Sequence, residues 1–152
     1  MGLASAVSDT LSELKVPQGG VMLEKIFGYY RDYSLFVLRA FLGIVFLTHG
    51  TLKFLGGVQG FAGYLERHGV PLPGLMAPII MAIEFLGGLG IILGTGTRLA
   101  ALLLSGVMVV AMLTVTLKVG FAGGYDLNLA CLGGLLALLL AGPGKPAVGG
   151  DL

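Results

Sequence analysis

Four ionisable side chains fall inside stretches that otherwise read as hydrocarbon. Arg39, His49 and Lys53 lie within the apolar run from Leu35 to Leu55, and Glu84 lies in Met81-Ala-Ile-Glu-Phe-Leu-Gly-Gly88. The chemistry open to such a set is proton exchange and hydrogen bonding. His49 and Glu84 can take up or release a proton, while Arg39 and Lys53 supply fixed positive charge to a bound molecule. A carboxylate left unpaired in a bilayer neutralises rather than stays charged, so Glu84 needs a partner or a proton.

The elements that hold these groups follow from length. Roughly 20 residues at about 1.5 Å each cross a hydrocarbon core of about 30 Å, so Leu35 to Leu55 is a transmembrane helix. At about 100° per residue, His49 lies about 80° and Lys53 about 40° around the helix from Arg39, which puts all three on one face. Exposing a charge to mid-bilayer lipid costs at least about 2.5 kcal/mol, so that face turns to other helices. Gly43 and Gly50 share it, and Gly87 and Gly88 share the Glu84 face. Small residues there permit close backbone approach, or a flat slot for a ring-shaped ligand. In an antiparallel neighbour, His49 stands roughly 6 Å outward of Glu84 and Arg39 roughly 9 Å inward. His49 is therefore the expected first partner of Glu84, with Lys53 or Arg39 completing the charge balance through an extended side chain. The cluster reads equally as a ligand or proton site and as a polar clasp that fixes helix register.

A mean hydropathy of +0.97, with 56% hydrophobic and only 11% charged residues, excludes an ordinary soluble domain. The 152 residues accommodate four spans, expected at Leu35 to Leu55, Leu75 to Leu93, Leu99 to Leu117 and Asp126 or Tyr125 to Leu140. The expected fold is an all-α membrane protein, a four-helix transmembrane bundle over residues 34–144 with a C-terminal tail, 145–152. The first loop carries Phe61, Tyr64 and Leu65 at helical spacing, which predicts a short interfacial helix from Phe61 to His68, closed by Gly69. In the N-terminal tail, residues 1–33, the aromatic segment Val21 to Tyr33 is either an amphipathic surface helix or a frayed flank.

A net charge of +1 and a pI near 7.9 give none of the basic footprint of a nucleic-acid binder. Cys131 is the single cysteine, so no dithiol relay, thiolate-ligated cluster or metal motif is expected, and no recognisable cofactor motif is present. Cys131 itself reads as a small buried hydrophobe. Lys118 and Asn128 lie in or beside spans, where they could line the outer mouth of the bundle. Lys25, Arg31, Arg98 and Lys145 fall on one side, and Lys53, Arg67 and Lys118 towards the other. This bias favours both termini in the cytoplasm.

The segments Leu38 to Phe54, Phe61 to Pro71, Glu84-Phe-Leu-Gly-Gly88 and Gly94-Thr-Gly-Thr-Arg-Leu-Ala-Ala101 resemble the DoxX family of small four-span membrane proteins, and Gly142-Pro-Gly144 resembles its usual ending. The resemblance implies an inner-membrane protein that serves as a small subunit of an oxidoreductase system. Members resemble components of thiosulfate:quinone oxidoreductase and of assemblies linked to oxidative stress and thiol balance. It carries the family's Arg, His, Lys and Glu onto Arg39, His49, Lys53 and Glu84, and the arginine after the second span onto Arg98. Two departures stand out: Lys118 occupies a place where members often have histidine, and the tail reaches Asp151 over a longer spacing.

Two functions of different class follow. The first is a subunit that docks a redox partner protein and holds a quinone or similar small amphipathic molecule at Arg39, His49, Lys53 and Glu84. The second is a non-catalytic scaffold or a small solute or proton transporter, and either could form a homo-oligomer in the bilayer.

Overall fold

The computed structural model describes residues 27–149. A 3-10 segment, Gly28–Tyr33, precedes α1, Ser34–Gly56. There follow α2, Val58–Arg67; α3, Pro73–Leu93; α4, Thr97–Thr114; and α5, Asp126–Ala141. Four helical stretches, Ser34–Gly56, Pro73–Leu93, Thr97–Lys118 and Phe121–Ala141, are long and apolar enough to cross a membrane. Residues 21–26 of the expected interfacial segment, Val21 to Tyr33, lie outside the described residues, and its described part is mostly the 3-10 segment Gly28–Tyr33 rather than an α-helix.

Local chemistry sets the helix limits. Pro73 opens α3 at a position where its missing N–H is harmless, after Leu72 in a left-handed conformation at φ 50°. The turn between α3 and α4 uses Gly94 and Gly96 at φ 76° and 54°, a conformation that a Cβ would strain. Helix α2 begins at Val58, three residues before the expected start, and ends as expected, with the His68 and Gly69 amides bonded to the Leu65 and Glu66 carbonyls. The third span differs in form from its expectation. Its α-helix stops at Thr114, and a 3-10 turn, Thr116–Lys118, completes it. Thr114, Val115 and Thr116 are all β-branched, and Thr114 Oγ1 bonds back to the Val110 carbonyl at 2.8 Å, which together favour a tightened last turn.

The long helices run alternately up and down. The most extensive contact is α1 on α3; α4 packs on α5 and, less extensively, on α3, while α1 meets α5 over a shorter length. Glycine explains the α1–α3 contact. A Cβ on Gly50 would stand 2.7 Å from the Phe85 amide nitrogen, and one on Gly88 would stand 2.6 Å from that of Leu47. Gly43 meets the Gly88 carbonyl in the same way. The two backbones touch where no side chain fits, the mode by which apolar helices associate in lipid. The neighbouring glycine serves another helix, because a Cβ on Gly87 would meet Leu104 of α4 instead. Around these contacts Leu42, Phe46, Ile91, Ala101, Leu104, Leu135 and Leu138 form the main core.

Two ends result from this alternation. One gathers α2, the start of α3 and the segment between α4 and α5; the other gathers the α3–α4 turn and the C-terminal tail.

Candidate functional site

Glu84 lies on the buried side of α3, and its side chain is 2% exposed. Both of its oxygens accept from Lys53 Nζ, a bidentate ion pair joining α3 to α1. This corrects the expected first partner, which was His49. The reason lies in side-chain direction, since every Cα–Cβ bond tilts towards its own helix N-terminus. In an antiparallel pair Lys53 therefore reaches inward from α1 and Glu84 outward from α3, and they meet at a depth between their backbones. His49 is nearer in backbone height, but it stands about 100° round the helix from Gly50, which holds α1 against α3. It lines the same cavity from an exposed position and does not bond to Glu84.

An aromatic ring covers one side of the pair. Lys53 Nζ lies 4.7 Å from the Phe61 ring centroid, a cation–π contact between α1 and α2, and the Phe54 and Phe85 rings pack edge to face at 5.7 Å beside it. Lys53 keeps 24% of its side chain exposed, towards a cavity of about 580 Å³. Val45, Phe46 and His49 of α1, Phe61, Tyr64 and Leu65 of α2, Ile80 of α3 and Val107, Met108 and Ala111 of α4 supply much of its wall. From α5 come Asp126, Leu127, Asn128 and Cys131. The Asp126 carboxylate accepts the Gly123 and Leu127 amides at 3.2 and 2.8 Å, and Asn128 Nδ2 lies 3.7 Å from Met108 Sδ. The cavity is thus a largely apolar chamber whose polar lining includes the ion pair and His49 from α1 and α3, and Asp126 and Asn128 from α5.

Arg39 belongs elsewhere. Its guanidinium is buried near the opposite end, where it donates to the Pro143 carbonyl at 2.6 Å and the Pro146 carbonyl at 2.5 Å. A Cβ on Gly94 would run into it and into Ala147, and the Val148 amide bonds the Leu93 carbonyl at 2.9 Å. Arg39 holds the tail against the end of α3, and the expectation that it could help balance Glu84 does not stand. Arg98, the second residue of α4, is exposed at that same end. Of the two expected mouth residues, Asn128 lines the cavity, whereas Lys118 is exposed and outside its lining.

Sequence reasoning placed α2 at the interface but missed it as a cavity wall, although the Phe61, Tyr64, Leu65 spacing carried that signal. Met108 gave no signal, being an apolar residue in an apolar helix, while Cys131 is the small buried hydrophobe expected and also lines the cavity.

The DoxX family model matches residues 34–117, from the first residue of α1 into the turn that closes the third span. The chain belongs to the DoxX family. It is 36% identical over 112 residues to "Putative oxidoreductase CatD" of Bacillus subtilis, covering 73% of this chain and 81% of that protein. It is 38% identical over 126 residues to "Inner membrane protein YqjF" of Escherichia coli, covering 77% and 90% respectively. No solved structure matches it. Family membership and the four apolar helices make this DoxX protein membrane-integral.

Proposed function

We propose that this DoxX protein is a membrane subunit of an oxidoreductase system, and that its chamber holds a small amphipathic molecule of the quinone class beside the Lys53–Glu84 pair. The observation that carries this reading is the chamber itself. Its volume of about 580 Å³ falls in the roughly 300–1,000 Å³ range of small-molecule sites, and its mostly apolar lining carries polar groups from more than one helix. The relative named "Putative oxidoreductase CatD" supports the redox association.

A ring with oxygen at both edges fits the donors present. The Lys53 ammonium, already partly exposed to the chamber, can donate to one oxygen, and the Asn128 amide across the chamber can donate to another. The bound group would supply the electron-accepting chemistry. Glu84 holds Lys53 in place and is positioned to take or return a proton through it, while His49 offers a second titratable nitrogen on the same wall. Phe61 and Tyr64 line the chamber from α2, and the Phe61 ring lies against the Lys53 ammonium. A soluble or membrane partner protein would deliver or remove the electrons.

Extraction in native lipid, followed by analysis of co-purifying lipids, quinones and proteins, tests this function. Enrichment of a quinone and of a redox protein is the expected result. Recovery of the chain with neither would point to the scaffold instead.

A further inference from the structure

The contact between α1 and α5 changes character along its length. Near the tail end it is closed. Leu42 is only 7% exposed, and a Cβ on Gly134 would stand 2.8 Å from its Cδ1 and 3.4 Å from Leu38 Cδ1. Seven residues further along α1, on nearly the same face, stands His49; seven residues back along α5 from Gly134 stands Leu127. If the seam stayed closed these two would be buried like Leu42. Both are exposed, Leu127 to 53%, and both line the chamber. The helices therefore diverge, and the chamber occupies the space between them. His49 lies about 10 Å inside the end of α1, at hydrocarbon depth rather than at the water boundary.

We infer that the chamber opens sideways into the bilayer between the outer halves of α1 and α5, so that its ligand is an amphiphile taken from the lipid phase, with His49 as the polar group at the threshold. The inference rests on the chamber being the ligand site. It adds the phase from which the ligand comes and the residue that the ligand passes. An imidazole at a lipid-facing gap is costly unless something polar meets it, and the head of an incoming amphiphile does so. Cys131 and Met108 line the same chamber, and on this reading a molecule from the lipid phase passes His49 to reach the buried Cys131.

Photolabelling of the unmodified protein in vesicles tests this without knowledge of the natural ligand. An aryl diazirine dissolved in the lipid phase would be compared with a charged, water-soluble diazirine, and labelled residues located by mass spectrometry. Leu140, at 81% exposure on a membrane-spanning helix, serves as the exposed reference, and Leu104, at 0%, as the buried one. The lipid-phase probe should label Cys131 and Met108 several-fold more than Leu104, at a level nearer to that of Leu140. His49→Trp, which fills the threshold, should reduce labelling at Cys131 several-fold and leave Leu140 unchanged. Labelling of Cys131 chiefly by the water-soluble probe, labelling no higher than that of Leu104, or indifference to His49→Trp would each overturn the lateral opening. The quinone-class reading would survive those results, because a chamber open to water at the α2 end could still hold such a ligand.

Discussion

At the scale of single residues, the Lys53–Glu84 pair is asymmetric, and that asymmetry decides what each substitution does. Glu84 is almost wholly buried, whereas Lys53 keeps part of its length exposed and can extend towards the nearer membrane surface. Lys53→Met strands a buried carboxylate and should cost about 3–5 kcal/mol, the range for breaking a buried pair. Glu84→Gln leaves an amide that still accepts from Lys53, so its cost should be smaller, about 1–3 kcal/mol. Equal costs in thermal or denaturant unfolding would contradict the asymmetry. Glu84 was legible in the sequence because a carboxylate in an apolar run has few explanations. Lys53 was legible only as a second partner, because backbone height alone ranks His49 first, and only the opposed tilt of side chains on antiparallel helices brings Lys53 to the same depth. Arg39 was misplaced for a related reason. Its acceptors are carbonyls of the tail, and carbonyls leave no mark in a residue pattern.

At the scale of elements, two contacts carry the bundle's precision. Gly50 and Gly88 let α1 and α3 touch, so Gly50→Val should destabilise by about 1–3 kcal/mol through forced separation, whereas Gly133→Ala, with open space at its Cβ, should change stability little. Comparable losses for both would mean that the glycines are not the contact. The second is the Arg39 clamp. Two charge-assisted bonds to the tail contribute about 1.5–3 kcal/mol each before losses elsewhere, so Arg39→Met should free the tail. Limited proteolysis at Lys145 should then accelerate, and an unchanged cleavage rate would count against the clamp. The apolar spans were legible from length and hydropathy to within a few residues. The divergence of α1 from α5 was not, since helix splay depends on which small residue meets which large one across a seam.

At the scale of the whole molecule, the structure places Lys53, Arg67 and Lys118 towards the chamber end, and Arg98 and Lys145 at the tail end. On the charge bias we expect the tail end to face the cytoplasm. Impermeant thiol reagents added outside cells should reach a cysteine at Gln59 and miss one at Lys145, and the reverse pattern would invert the orientation. The central claim is that the ion pair serves a ligand and does not merely fasten two helices. It is tested most directly by binding of a short-chain quinone to the purified protein and to the double variant Lys53→Met, Glu84→Leu. Replacing both charges leaves neither stranded, so the double variant should unfold close to wild type, as paired apolar replacements of buried ion pairs often do. The account predicts saturable binding to the wild type and its loss in this folded variant; equal binding by both, or no binding by the wild type, would contradict it.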